Sequence, residues 1–503
     1  MEIQPGFDAF ETRFAAGENA ALWTTLVADL DTPVSIMLKL AEARADSFLL
    51  ESVTGGEVRG RYSIVGMKPD LIWRCRGAQA EINRAARYDA DAFEPDPRPP
   101  LDSLRALMAE SRIALPDALP PMAAGLFGFF GYDMVRLVER LPAPNPDPLG
   151  LPDAVLMRPT IIAIVDSVKD VVTLVAPVWA AAGESARAAY ARAAERLSDA
   201  VALLDRAPGA DRSPAPPPGP APEPVSNTTD DEYRAMVGKA QDYIRAGDIF
   251  QVVPSQRWTV PFPLPPFALY RALRRTNPSP YMFFFNFGGF QVVGASPEVL
   301  VRLRGRTVTI RPIAGTRPRG ATPEEDRRLE AELLADPKER AEHLMLLDLG
   351  RNDVGRVAKI GTVDPNAQFT IERYSHVMHI VSNVDGTLRD DLDAIDALLA
   401  GLPAGTVSGA PKVRAMEIID ELEKEKRGVY AGGVGYLASG GDMDMCIALR
   451  TAVVKDGALY VQAGGGVVYD SDPEAERMET VHKARALIRA AEDAARFAAR
   501  GNR

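Results

Sequence analysis

Apolar positions in the first two hundred residues fall mostly into short runs bounded by turn residues, a pattern typical of β-strands. Runs of this kind cover residues 47–52, 62–66, 154–165 and 171–178. An alanine- and arginine-rich stretch over 184–205 predicts the helix that closes this part of the chain.

In the second half, stretches with helical spacing alternate with strand-like runs. Helices are predicted over 230–246, 323–335, 337–349, 411–425 and 473–498. Strands are predicted over 250–260, 281–287, 290–294, 299–304, 307–312, 432–438, 445–455 and 458–467. Tight glycine-containing turns at 287–290 and 455–458 join neighbouring strands as antiparallel hairpins. We therefore expect an α+β fold in which large antiparallel β-sheets pack together and are covered by helices.

A proline-rich segment interrupts these patterns. Residues 208–224 contain eight prolines and no aromatic residue, so they favour an extended connector over a helix or a central strand. A polyproline docking motif is the alternative. The predicted division is an N-terminal domain over 1–206, a linker over 207–226 and a second domain over 227–503.

Composition narrows the class of protein. The 503 residues carry a net charge of −11, which argues against nucleic acid or an anionic membrane as the main partner. An anionic substrate would then need its own local group of cations and backbone donors. Two cysteines exclude a disulfide scaffold and a cysteine-rich metal site. No signal peptide and no apolar run of about 18 residues is present, so we expect a cytoplasmic enzyme or binding protein.

Two helix starts resemble each other. Asp336-Pro337 and Asp472-Pro473 each place an N-cap before a proline, and a Glu-x-x-Glu pair follows. This spacing puts both carboxylates of a pair on one helix face, and carboxylate oxygens suit Mg²⁺. Two solvated acidic faces are the alternative, and Lys483 lies one turn beyond the second pair. The four acids are Glu339, Glu342, Glu476 and Glu479.

Two glycine-containing segments could approach an anion. Residues 402–412 form a Gly/Ser/Thr loop before a helix, where free N–H groups favour negative charge. A plain helix entry is the alternative, because the loop does not match a Walker A motif. The triplet 464–466 allows backbone amides to approach a ligand closely, or forms a bulge or turn.

The histidines support neither a catalytic triad nor a zinc site. His376 and His379 lie in a short apolar context, where a buried core histidine is the alternative to a catalytic one. No Ser–His–Asp order, His-x-x-x-His pair or Cys-x-x-Cys motif is present.

These stretches together resemble the chorismate-utilising enzymes, and most closely the anthranilate synthase component I family. The resemblance covers nearly the whole chain outside the linker. Its matching stretches are 49–52, 247–253, 277–282, 295–298, 312–316, 339–353, 403–411, 432–436 and 464–479.

The resemblance implies a Mg²⁺ site and a chorismate site. Glu342 and Glu479 would bind Mg²⁺, while Glu339 and Glu476 would hold its water ligands. His379 and Thr406 would flank the substrate ring, with His379 as the candidate acid or base. The residues implied to hold chorismate are Gly315, Thr316, Tyr430, Arg450, Gly464, Gly465, Gly466 and Lys483.

The implied reaction is addition of ammonia to chorismate with loss of the 4-hydroxyl group, followed by elimination of pyruvate to give anthranilate. Aminodeoxychorismate synthases carry a nucleophilic lysine at the position of Ala314. Isochorismate and salicylate synthases carry a water-activating lysine at the position of Gln251. With neither lysine present, ammonia remains as the nucleophile.

The resemblance also implies partners and regulation. No stretch is left over for a glutamine amidotransferase, so a separate component II subunit would supply ammonia within a hetero-oligomer, expected to be a heterotetramer. Feedback inhibition by tryptophan is implied through an apolar pocket with polar groups, although each of its residues alone is also typical of a core. These residues are Glu51, Ser52, Pro280, Tyr281, Met282, Val434, Tyr436 and Cys446.

Two other functions stay open at this point. The first is component I of aminodeoxychorismate synthase. The second is a non-catalytic tryptophan-sensing subunit, whose mark would be loss of the metal acids. Glu342 and Glu479 are both present.

Overall fold

The computed structural model describes residues 1–41, 44–52, 60–180, 183–207, 223–374 and 377–498. Most of the predicted linker, residues 208–222, lies outside this described part. The helices within it are α1 (Phe7–Ala15), α2 (Pro33–Leu40), α3 (Pro100–Glu110), α4 (Ala186–Leu204), α5 (Asp230–Ala246), α6 (Pro266–Thr276), α7 (Pro323–Ala335), α8 (Pro337–Gly355), α9 (Ala394–Gly401), α10 (Lys412–Leu422) and α11 (Pro473–Ala498). None of these helices is both long enough and apolar enough to cross a membrane.

The strands of the first part are β1 (Ala20–Val27), β2 (Ser47–Glu51), β3 (Tyr62–Arg76), β4 (Gln79–Asn83), β5 (Phe93–Pro95), β6 (Gly125–Phe130), β7 (Ala154–Asp166), β8 (Val171–Val178) and β9 (Val225–Ser226). Those of the second part begin with β10 (Gln251–Val252), β11 (Ser255–Pro261), β12 (Tyr281–Asn286), β13 (Gln291–Ser296), β14 (Val299–Arg304), β15 (Thr307–Ile310) and β16 (Ile313–Pro318). They continue with β17 (Asp364–Arg373), β18 (Val377–Thr387), β19 (Gly409–Ala410), β20 (Gly433–Ala438), β21 (Met443–Ile447), β22 (Thr451–Lys455) and β23 (Ala458–Gly464).

The sheet is antiparallel wherever strand pairing is described. Twenty-one strands form one hydrogen-bonded network, while β10 and β19 form a separate pair. Helices such as α6 and α11 cover the network, and their buried faces pack with Phe284 and Val461 in one apolar cluster. The predicted α+β class with large antiparallel sheets under helices is confirmed.

Strands from the two parts of the chain are neighbours in this network. Strand β2 pairs with β12, so that Leu49 faces Phe284, and β6 pairs with β20, so that Phe127 faces Tyr436. Hydrogen bonds of the sheet therefore cross the predicted domain boundary. The division into domains at 207–226 stays a prediction.

Two predicted strands are each divided in the structure. The run 250–260 forms β10 and β11, because Pro254 has no N–H to donate to a ladder and the two pieces pair with different strands. The run 445–455 forms β21 and β22, and Arg450 lies between them with a φ of 46°. The predicted helix over 337–349 is longer and ends at Gly355.

Candidate active site

Both acidic helices begin as the sequence predicts. The Asp336 carboxylate accepts hydrogen bonds from the N–H groups of Lys338 and Glu339, at 3.0 and 3.3 Å, at the start of α8. The Asp472 carboxylate accepts one from the N–H of Ala475, at 2.8 Å, at the start of α11. These N-caps fix where each helix begins, and they therefore fix the direction in which the side chains of its Glu-x-x-Glu pair point.

The four glutamates lie close enough to influence one another. Burial raises the pKa of Glu342, and the charges of Glu339 and Glu479 raise it further. Burial also raises the pKa of Glu476, again with a contribution from Glu479. The two helices therefore present their acids towards a common space.

The surroundings of these acids differ. Glu339 pairs with Arg317 at 2.9 Å, and Glu476 accepts a hydrogen bond from the Ser471 hydroxyl at 2.8 Å. The other carboxylate oxygen of Glu476 is buried without a hydrogen-bond partner. In the described part of the chain, no three acidic, histidine or cysteine side chains converge closely enough to hold a metal ion by themselves.

His379 on β18 is held by the neighbouring strand β16. Its Nδ1 lies 2.9 Å from the carbonyl oxygen of Gly315 and 3.1 Å from the hydroxyl of Thr316. Burial lowers the pKa of His379, the Gly315 carbonyl opposes this shift, and the charge of Arg450 lowers the pKa further. His379 is therefore neutral at pH 7. His376, the other candidate nearby, lies outside the described residues.

Two cations lie beside these groups, Lys483 beside the acids and Arg450 beside His379. Lys483 on α11 pairs with Glu479 at 2.7 Å and donates to the carbonyl oxygen of Gly464 at 2.9 Å. Burial lowers the pKa of Arg450, and no ion pair joins Arg450 to any described residue. Arg450 thus presents a guanidinium without a protein counter-ion.

The triplet 464–466 runs among polar side chains. A Cβ atom on Gly464 would lie 2.9 Å from the Tyr430 hydroxyl, and one on Gly465 would lie 3.1 Å from a Glu476 oxygen. One on Gly466 would lie 2.5 Å from the Gln251 amide nitrogen. A Cβ atom on Gly464 would also lie 2.9 Å from the backbone oxygen of Pro254, so glycine is most strongly favoured at that position.

Glu298 stands out in the structure but carries no local sequence signal beyond its place in the stretch 295–298. Burial raises its pKa to about 8, against the lowering effect of the Ile313 N–H and the Thr406 hydroxyl. Glu298 and Thr406 line one small cavity. At the start of β16, the chain thus holds a carboxyl group that is protonated at neutral pH.

A second cavity, of about 600 Å³, lies beside strands β2, β12, β20 and β21. We call it the regulatory cavity. The structure brings all eight residues of the expected tryptophan pocket into its lining: Glu51, Ser52, Pro280, Tyr281, Met282, Val434, Tyr436 and Cys446. Glu51 is already engaged there, with Arg274 at 2.6 Å and the Tyr270 hydroxyl at 2.7 Å.

Direct contacts thus join His379 to Gly315 and Thr316, and Lys483 to Gly464 and Glu479. Residues 66–489 match the family of chorismate binding enzymes. The chain belongs to the chorismate-binding enzyme family. This membership confirms the resemblance seen in the sequence.

Two relatives are similar to this chain over almost their full length. Anthranilate synthase component 1 of Cereibacter sphaeroides is 72% identical over 494 residues, which cover 98% of this chain and 99% of the relative. The protein of the same name from Pseudomonas aeruginosa is 52% identical over 471 residues, covering 92% of this chain and 94% of the relative. Within the chorismate-binding family the chain therefore groups with the anthranilate synthase component I enzymes.

Two solved structures are also similar to the structure of this chain. The crystal structure of anthranilate synthase component I from Streptococcus pneumoniae matches with a TM-score of 0.75 and 38% identity, over 87% of this chain and 94% of that one. The menaquinone-specific isochorismate synthase from Escherichia coli matches with a TM-score of 0.68 over 96% of this chain and 98% of that one. At 19% identity, the latter supports the shared fold of this family member and nothing more.

Proposed function

We propose that the chain is the component I subunit of an anthranilate synthase. It aminates chorismate with ammonia from a separate glutamine amidotransferase subunit and eliminates pyruvate to give anthranilate. The observation that carries this proposal is the position of Lys483, which contacts both the glycine triplet and Glu479. The expected substrate donors and the expected metal acids therefore belong to one site.

The site suits a small dianion. Chorismate carries two carboxylates; Lys483 supplies positive charge at the triplet 464–466, and Arg450 supplies it near His379. The backbone of the triplet, the Tyr430 hydroxyl and the Gly315-Thr316 segment of β16 add hydrogen-bonding groups. These local donors explain how a chain with net charge −11 binds an anionic substrate.

The acids fit Mg²⁺. The charges of Glu339 and Glu479 raise the pKa of Glu342, which shows negative charge that a cation would neutralise. Mg²⁺ keeps several water ligands and uses one or two protein carboxylates, so Glu342 and Glu479 would bind it while Glu339 and Glu476 hold its waters. The bound ion would act as a Lewis acid on the ring carboxylate of chorismate.

Two residues of the chain are suited to move protons. Glu298 is protonated below pH about 8 and can donate a proton to the 4-hydroxyl group as it leaves as water. His379 donates through Nδ1 to Gly315, so its Nε2 is free to accept a proton as the ring becomes aromatic. Loss of that ring proton and cleavage of the bond to the enolpyruvyl oxygen release pyruvate.

The nucleophile is ammonia. Ala314 offers no amine to attack the ring, and Gln251 offers no base to activate water. The side-chain oxygen Oε1 of Gln251 is buried without a hydrogen-bond partner, and the side-chain nitrogen Nε2 lies close to Gly466. A free acceptor of this kind suits the N–H groups of ammonia.

The regulatory cavity suits tryptophan. Its apolar lining, including Met282 and Val434, fits an indole ring, and its volume of about 600 Å³ is sufficient for an amino acid of this size. Assembly with the amidotransferase subunit into a heterotetramer and residence in the cytoplasm remain expectations from the sequence.

The test is a direct assay of the purified chain with chorismate, Mg²⁺ and ammonium at pH above 8, without any amidotransferase. We expect anthranilate fluorescence and one pyruvate per anthranilate. Accumulation of an aminated intermediate that keeps its enolpyruvyl group would favour the aminodeoxychorismate alternative. Tryptophan binding without turnover of chorismate would favour the sensing subunit.

A further inference from the structure

Five arginines line a cavity of about 560 Å³ in the first part of the chain. Arg84 and Arg87 follow β4, Arg158 lies on β7, and Arg192 and Arg196 lie four residues apart on α4. We call it the arginine cavity. It shares no lining residue with the regulatory cavity and includes none of the substrate or metal residues.

Protein carboxylates neutralise only some of these arginines. The ion pairs are Arg84 with Glu110, Arg158 with Asp70, and Arg192 with Glu184. Arg87 and Arg196 form no ion pair with any residue in the described ranges. In a chain with a net charge of −11, this cavity is a local concentration of uncompensated positive charge.

Arg196 is the member whose surroundings are most unusual. One of its terminal nitrogens donates to the carbonyl oxygen of Pro177 at 3.0 Å, but its Nε is buried without a hydrogen-bond partner. Burial and the charges of Arg87 and Arg192 lower the pKa of Arg196 to about 10, against the opposing charges of Asp70 and Glu184. A partly buried guanidinium beside like charges, with its Nε unpaired, favours an anion that completes the site.

Trp179 adds a second unsatisfied donor. It follows β8 in the lining of the cavity, and Arg158 stacks on its ring at 4.2 Å from the centroid. Its indole nitrogen is buried without a hydrogen-bond partner. A neutral N–H group and a buried guanidinium Nε thus both lack an acceptor in the same cavity.

The number of donors distinguishes between classes of anion. A single carboxylate is planar and carries one charge, so one guanidinium satisfies it. A phosphate carries close to two charges at neutral pH and accepts hydrogen bonds from several directions. The guanidiniums of Arg87, Arg192 and Arg196 lie close together, with Asp70 and Glu184 as nearby carboxylates, and the three guanidiniums together match the second geometry. The volume also leaves room for an organic group on the phosphate.

We propose that the arginine cavity binds a small phosphate-bearing ligand, held by the guanidinium groups of Arg87, Arg192 and Arg196 and by the indole N–H of Trp179. This site is independent of the proposed chorismate chemistry. A phosphate ligand would supply the missing acceptors and counter-charge at one position.

The test is titration calorimetry of the full chain with inorganic phosphate and with pyrophosphate, at an ionic strength held constant with chloride. We expect saturable binding, and at least a tenfold loss of affinity in Arg196→Gln. The matched control is Arg245→Gln on α5, which removes an exposed arginine paired with Asp242. It should bind as wild type does.

Arg87→Gln provides a second variant, because Arg87 is exposed and its loss leaves the fold intact. It should weaken binding in the same direction as Arg196→Gln. The proposal is overturned if neither phosphate nor pyrophosphate binds saturably, or if Arg196→Gln and Arg245→Gln bind alike. Tighter binding of malonate than of phosphate would overturn the assignment to phosphate.

Discussion

His379 donates its Nδ1 hydrogen to the carbonyl oxygen of Gly315, over 2.9 Å. A carbonyl oxygen can only accept, so the contact fixes the tautomer of the neutral ring and leaves Nε2 as a proton acceptor. The lowered pKa of His379 keeps the ring neutral at pH 7. The strand pairing of β16 with β18 therefore determines which nitrogen of His379 is available for chemistry.

Replacing His379 with asparagine tests the roles of its two ring nitrogens separately. In His379→Asn the side-chain amide can still donate to Gly315, but no acceptor remains at the position of Nε2. We expect kcat to fall by about 10²–10⁴-fold, the usual contribution of a positioned acid or base. Stopped assays of chorismate consumption and anthranilate formation measure this loss. Wild-type kcat in His379→Asn would contradict the role of Nε2.

The raised pKa of Glu298 predicts how kcat depends on pH. When free ammonia is held constant, kcat should fall as pH rises through about 8, because the carboxyl group loses the proton that it donates. Glu298→Gln should lose activity at every pH, since an amide cannot donate a proton to a leaving hydroxide. A pH profile of Glu298→Gln that matched wild type would contradict this assignment.

The same group affects stability. Between pH 4.5 and about 8 the folded protein holds the Glu298 proton while the unfolded chain has lost it. The folded state binds more protons, so this contribution to the free energy of unfolding falls as pH rises through that range. Urea denaturation at several pH values should show a smaller decrease in Glu298→Gln.

The acidic helices α8 and α11 predict an effect of Mg²⁺ on the melting temperature, which can be measured without an activity assay. Glu342→Gln removes a charge that Glu339 and Glu479 repel, so the melting temperature without Mg²⁺ should rise. The stabilisation on adding Mg²⁺ should be largely lost in the same variant. The control is Glu492→Gln on α11, which removes an exposed charge and should behave as wild type. An unchanged response to Mg²⁺ in Glu342→Gln would exclude it as a ligand.

Arg427 and Glu423 form a buried ion pair beside the loop 402–412. Their side chains are 1% and 5% exposed, their closest atoms are 2.6 Å apart, and Arg427 also donates to the carbonyl oxygens of Val407 and Val253. Arg427→Met should lower the free energy of unfolding by about 3–5 kcal/mol, because Glu423 remains buried without its partner. Urea denaturation measures the change.

An exposed pair provides the control for this experiment. Lys424 and Glu232 pair at 2.6 Å with side chains 48% and 44% exposed. Lys424→Met should change the free energy of unfolding by less than about 1 kcal/mol. Equal effects of Arg427→Met and Lys424→Met would show that burial does not distinguish the two pairs.

The regulatory cavity predicts a separation of inhibition from catalysis. Ser52→Phe places a ring into the cavity from the half-exposed end of β2, which should raise the tryptophan concentration for half-inhibition by more than tenfold. The kcat for anthranilate should stay within about twofold, because Ser52 is not one of the residues proposed to hold chorismate. Val27→Phe, at a position 79% exposed, is the control. Unchanged inhibition of Ser52→Phe would place the tryptophan site elsewhere.

The fold class followed from local signals, but the neighbours of each strand did not. Glycine turns at 287–290 and 455–458 indicated antiparallel hairpins, and α5, α7 and α11 begin and end where the spacing predicts. The pairing of β2 with β12 joins residues more than two hundred positions apart, and no local pattern encodes it. Pro254 was a usable signal for the break between β10 and β11, because it cannot donate to a ladder.

In the site, residue types were predictable and environments were not. Paired glutamates and the glycine triplet are visible in the sequence because they are unusual at that spacing. The raised pKa of Glu298 depends on burial beside Ile313 and Thr406, which are distant from it in the sequence. The arginine cavity likewise combines residues of β7 and α4 with the turn after β4.

The pairing of strands across the two parts has a consequence for biosynthesis. A ribosome that has completed residue 206 has released β2 and β6, but their partners β12 and β20 do not yet exist. Each of these apolar strands then has one open edge, the feature that invites pairing with other chains. For β6 this interval lasts until Ala438 has been synthesised. The second half of the polypeptide therefore protects the first half from pairing with other chains, because its strands β12 and β20 cover these open edges.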